Sequence, residues 1–162
     1  MTAALSRMGA GSGGVARRRL FEAPALPFYF IEIAAFQSPN ADPSLVGWAA
    51  IREAQRRCLA IPHTGMACAI GLGDAAGVHP KNKADVGERF ARWALATEYG
   101  QRDLEVSGPL FRELKIEGDT VVVSSPNVLQ PVAVRYAYSS NPEGANLCNR
   151  AGLPGPPFRT DD

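Results

Sequence analysis

Two continuous apolar runs, "LPFYFIEIAAF" at 26–36 and "MACAIGL" at 66–72, flank a segment whose apolar residues recur at helical spacing. The first run is rich in aromatic and β-branched residues, and both runs lack polar alternation, which suits strands buried on both faces. Between them Leu45, Trp48, Ile51, Ala54 and Cys58 form one helical stripe, with Arg52, Glu53, Arg56 and Arg57 largely on other faces. Asp42 is placed to cap this helix and Pro43 to occupy its first position. Strand, helix, strand in that order dictates two parallel strands joined by a right-handed crossover. The expected elements are strands near 27–36 and 66–72 and helices near 44–60 and 82–99.

The second strand runs into "GDAAGVHPKNK", residues 73–83, which puts His79 on a glycine-rich, proline-braced loop. Asn82 then caps the second helix, with Asp85 in its first turn and an inward stripe of Val86, Phe90, Trp93, Ala94 and Thr97. Open α/β sheets bind ligands beyond the carboxyl ends of their strands, which is where this loop falls. His79 is one of only 2 histidines in the chain, so a base is available there if a nucleophile faces it. The other, His63, belongs to the turn before the second strand.

The remaining features exclude more than they suggest. With 17 basic and 16 acidic residues interspersed, the net charge is +1, which provides no concentrated basic face for nucleic acid. No apolar run reaches the length of a membrane span. The 3 cysteines, Cys58, Cys68 and Cys148, are unevenly spaced and do not announce a disulfide framework. Cys58, His63, Cys68 and His79 lack the paired knuckles of a zinc site, so neither a metal nor another cofactor is expected. Residues 1–23 read as a disordered or mis-annotated amino-terminal segment without a secretory h-region. Gly9, Gly11 and Gly14 fit a dinucleotide fingerprint in spacing, but no strand precedes them. Residues 24–106 read as the α/β domain and 107–162 as a β-rich carboxyl-terminal segment. In the latter, "LKIEGDTVVVSS" suggests a hairpin, "PVAVRYAYS" a strand, and the Pro- and Gly-rich ending a surface-hugging tail. A short parallel sheet also leaves open edges, through which the chain is expected to self-associate.

Several segments together resemble the carboxyl-terminal part of the sialate O-acetylesterase family, within the SGNH hydrolase superfamily. They are "LPFYFIEIAAF", "REAQRRCLAIPHTGMACAIGLGD", "VHPKNKADVGERFARWALATEYG", "SGPLF" and "PVAVRYAYSSNPEGANLCNRAGLPGPPFRTD". The resemblance implies a partial SGNH-like, flavodoxin-like three-layer α/β domain. It also implies serine-esterase chemistry on O-acetylated sialic acid or a related acetylated sugar, with His79 as the catalytic histidine.

The departures from that pattern concern the rest of the catalytic set. No Gly-x-Ser-Asn or Gly-Asp-Ser-Leu motif occurs in the 162 residues, and a second shortening falls around Arg112 to Lys115. The superfamily's Asp three residues before the histidine is replaced by Ala76, and the acid that relatives often carry two before it is Gly77. Asp74, five residues before His79, is the remaining candidate to orient the imidazole, its alternative being a turn residue that binds backbone N–H groups. Glu32 stands where relatives often carry Gln, and a carboxyl inside a buried strand needs a partner. The alternative to an esterase is a non-catalytic remnant that binds a carbohydrate or a protein.

Overall fold

A computed structural model describes residues 10–40, 47–108 and 132–161. Its elements are helix α1 (Ala10–Leu20), strand β1 (Phe28–Ile31), helix α2 (Gly47–Arg57) with a 3-10 turn at Cys58–Ala60, strand β2 (Thr64–Ala67), helix α3 (Lys83–Thr97), and strands β3 (Arg135–Tyr136) and β4 (Phe158–Arg159). The residues proposed to begin the first helix (Asp42, Pro43, Leu45), the hairpin at 114–125 and the shortening at 112–115 lie outside the described residues.

β1 and β2 are parallel, with Phe28 opposite Thr64 and Ile31 opposite Ala67, as the two apolar runs predict. Both strands are shorter than their runs. The Phe28 and Glu32 N–H groups donate to His63 O and Ala67 O, each at 2.9 Å, so alternate residues turn their backbone groups away from β2. There Gln55 takes over, donating to Ile31 O at 3.1 Å and accepting from Ile33 N at 2.9 Å. On the outer edge of β2, Trp93 donates to Met66 O at 3.0 Å and Arg89 to Cys68 O at 2.6 Å. Side chains of the flanking helices thus cover parts of both edges through which self-association is expected.

A helix lies on each face of the pair. Phe30 and Met66 pack with Cys58, Leu59 and Ile61 on the α2 side, while Tyr29 meets Trp93 of α3 on the other, ring centroids 6.3 Å apart. The α3 cap forms as its sequence predicts, the Asn82 carbonyl oxygen accepting from Asp85 N at 3.1 Å. The buried face of α2 differs from the expected stripe. Ile51 is exposed, whereas Arg52 and Glu53 are buried. Glu53 is neutralised locally by Arg56 and Arg57.

Arg52 has a larger task. Its Nε donates to Ile33 O at 2.8 Å, one terminal nitrogen to Ser139 O at 2.7 Å, and the other to Ala34 O at 2.9 Å and Ser140 O at 2.7 Å. One guanidinium therefore ties the chain leaving β1 to the carboxyl-terminal segment. That segment is more deeply set than a surface tail: Ser140, Asn141, Leu153, Pro156 and Pro157 are buried. The Tyr136 ring stacks on Phe158, and its hydroxyl accepts from Leu147 N at 2.8 Å.

Residues 10–20 are helical, where the sequence suggests disorder. Gly14, the last glycine of the dinucleotide-like spacing, instead admits an aromatic ring, since a Cβ there would stand 3.1 Å from the Phe28 ring. The Arg17 guanidinium lies over that ring at 5.5 Å, and Arg18 donates to Leu26 O and His63 O. Tertiary contacts override the weak helix propensity of glycine here.

Replacing Arg52 by Ala orphans several carbonyls, at about 1–3 kcal/mol for each buried group left unpaired, so the variant should lose at least about 3 kcal/mol in urea unfolding. Arg52→Lys should recover little of it, because an ammonium cannot span four acceptors with a planar fork. An Arg52→Lys protein as stable as the parent would contradict the assignment.

Candidate active site

The loop 73–83 is shaped mostly by backbone. Its first residue lies against the chain leaving β1, and a Cβ at Gly73 would fall 2.2 Å from Ala35 O and 2.6 Å from Ala35 N. Gln37 N donates to Ala75 O at 3.0 Å, which extends this apposition by one more contact. Gly77 N then turns back to Asp74 O at 3.0 Å. Pro80 is buried, and Asn82 begins α3. From within α3, Arg89 donates to Cys68 O at 2.6 Å and Ile70 O at 3.1 Å, gripping the stretch from which the loop departs. Both ends of the loop are held, and His79 is exposed at its crown.

The two candidate catalytic residues are not joined. One Asp74 oxygen accepts from Ala76 N at 2.9 Å and the other is paired with Lys81. Lys81, together with the Ala76 N–H, holds the Asp74 carboxyl below the usual aspartate range. This is the turn role that the loop composition also allows. Among the described residues, no side chain hydrogen-bonds the His79 imidazole, neither a serine hydroxyl nor a carboxylate. His63 is exposed in the turn before β2, with a left-handed backbone (φ 57°). Cys58 is in the core and donates to Ala54 O at 3.3 Å.

A buried polar cluster underlies the strand ends. Glu32 is fully buried (0 % exposed), and its Oε2 accepts from the Cys68 thiol at 3.1 Å. Among the described residues Oε1 has no hydrogen-bond partner. Burial raises the Glu32 carboxyl to about 7, against the opposing pull of Cys68, Arg52 and Arg89. Burial, reinforced by Glu32, pushes the Cys68 thiol well above its ordinary range. The expected need for a partner at Glu32 is thus partly met, at Oε2, by a thiol just beyond β2 rather than by an ion pair.

The arrangement of strands, loop and helix has a counterpart among solved structures. The chain is similar to a carbohydrate acetylesterase from Xanthomonas citri, with a TM-score of 0.77 and 32% sequence identity over 89% of this chain. It is a partial SGNH-like α/β domain. The match spans 43% of the acetylesterase, so this chain corresponds to less than half of that protein. No family model and no curated protein matches the chain.

The glycines of the loop give a direct check on its geometry. Gly73→Ala forces a methyl group into backbone atoms and should destabilise the protein by about 1–3 kcal/mol, as overpacking does. Gly77→Ala has nothing within 4 Å of the added methyl and should change stability by less than about 0.5 kcal/mol. Equal effects in urea unfolding would mean that the loop does not lie against Ala35.

Proposed function

We propose that this chain is the histidine-bearing part of a carbohydrate acetylesterase of the sialate O-acetylesterase type. The carrying observation is His79 itself: an exposed imidazole on a pinned loop after the second parallel strand, in a fold similar to that of an acetylesterase. The substrate class would be an acetylated sugar, with O-acetylated sialic acid the specific expectation.

In this reading His79 takes the proton of a serine hydroxyl, and the alkoxide attacks the acetyl carbonyl. The imidazolium then protonates the departing sugar oxygen, and water hydrolyses the acetyl-enzyme by the same route. The serine and its oxyanion donors are not among the recognisable motifs of this sequence. In this reading they would come from the part of an acetylesterase that these residues do not span. Asp74 would act only after leaving Lys81, which makes it the weaker member of the pair.

A second reading, a non-catalytic module that binds a carbohydrate or protein, is favoured by the engagement of Asp74 away from His79.

The 162-residue chain should release acetate from aryl acetates and O-acetylated sialic acid at a background rate that His79→Ala does not change. A base without nucleophile or oxyanion donors has little to add, because such groups act as a unit. Joined to an amino-terminal segment of a full-length acetylesterase, the chain should gain turnover that His79→Ala removes. Robust His79-dependent turnover by the chain alone would mean that another serine, such as Ser38 or Ser107, serves as nucleophile. No turnover in the joined protein, with sugar binding retained, would favour the binding module.

A further inference from the structure

Among the described residues, Glu32 has a placement that neither packing nor the proposed chemistry explains. It follows β1 on the face that carries Phe28 and Phe30, and its 0 % exposure leaves no solvent contact. The charged and titratable groups around it come from three elements. Arg52 approaches from α2, Cys68 from the end of β2 and Arg89 from α3. Neither arginine spends a hydrogen bond on the carboxyl: Arg52 is committed to Ile33, Ala34, Ser139 and Ser140, and Arg89 to Cys68 and Ile70. The thiol is a weak donor to Oε2, the Ala69 backbone N–H adds a further pull toward the charged form, and Oε1 has no hydrogen-bond partner among the described residues. An ionised carboxylate in such a place is under-solvated, whereas a neutral acid is tolerated.

The surroundings say what would yield. Residues 33–37 leave the strand next to Glu32, and residues 69–75 leave the strand next to Cys68. The two segments meet at Ala35 and Gly73 and through the Gln37–Ala75 hydrogen bond. This contact forms the base of the His79 loop. It is also built from non-regular backbone at the strand ends, the kind of structure that opens locally before the rest of a fold.

We propose that Glu32 is a pH-responsive latch: as the neutral acid it lets residues 33–37 lie closed against residues 69–75, and its ionisation loosens that contact and frees the His79 loop. The latch does not depend on His79 being a catalytic base.

The sign follows from linkage. The carboxyl titrates near 4.5 in an unfolded chain and near 7 in the fold. Below about pH 4.5 both states hold the proton and the latch contributes fully. As the pH rises from there to 7 only the folded state keeps it, so stability falls, and above 7 the loss is complete. That difference in titration corresponds to about 300-fold in the folding equilibrium.

The test is amide hydrogen exchange on the full 162-residue chain at pH 5.5 and 8.5, corrected for intrinsic exchange, in the parent and in Glu32→Gln. The reporters are the Gln37 amide, which donates across the contact to Ala75 O, and the Leu72 and Gly77 amides, which donate to Ala69 O and Asp74 O in the turns on its other side. In the parent they should lose at least about tenfold in protection at the higher pH, while amides of α3 change less. In Glu32→Gln, protection should be alike at both. A carbon-13 titration of the Glu32 carboxyl in the parent decides the matter even if the variant does not fold. Titration near 7 together with the loss of protection supports the latch. Titration near 4.5, or reporters equally protected at both pH values, overturns it.

Discussion

The structure depends on one buried guanidinium. Arg52 reaches from α2 to four backbone carbonyls, two on the chain leaving β1 and two in the carboxyl-terminal segment. The segments it joins are 87 and 88 residues from it on one side and 18 and 19 on the other. A planar fork of N–H donors suits this geometry because every acceptor is a fixed carbonyl. The cost is desolvation, which lowers the Arg52 pKa, partly offset by nearby Glu32. Four charge-assisted hydrogen bonds in a dry environment outweigh that cost, and leaving the carbonyls unpaired would add a second penalty.

Because Arg52 fixes residues 33–34, it also fixes what those residues touch. Ala35 and Gln37 form one side of the contact between the strand ends, and Gly73 and Ala75 the other. Arg89 repeats the device on the chain leaving the second strand, holding Cys68 and Ile70 from α3. Two arginines, one per helix layer, thus set the backbone on which the His79 loop stands. The imidazole itself is exposed. This division of labour suits a scaffold that presents a loop side chain from a fixed base, as the proposed esterase reading requires.

The parts of this arrangement governed by periodicity were legible in the sequence. Continuous apolar runs identify β1 and β2 and their parallel pairing, and Asn82 with Asp85 marks the start of α3. Polar residues that bond to backbone were not. Arg52 looks like surface because charged residues usually are, and no local pattern announces that four distant carbonyls will converge on it. Gln55 and Arg89 are hidden for the same reason. The sole clue lies in Glu32, a carboxyl inside an apolar run, which demands a buried polar environment without naming it. Helix α1 is misread because its glycines score poorly alone, and its contacts with Phe28 and His63 are tertiary. At the site, sequence locates His79 but not the direction of Asp74, since a turn and a catalytic dyad ask for the same residue in the same loop.

The most direct test of the functional account is a structure of this chain joined to an acetylesterase amino-terminal segment and trapped with an organophosphonate on the serine. The account predicts a His79 ring nitrogen within about 3 Å of the phosphonylated serine oxygen or the leaving-group position, with the 73–77 backbone still packed on Ala35. A trapped serine whose nearest base is another residue, with His79 still in solvent, would contradict it.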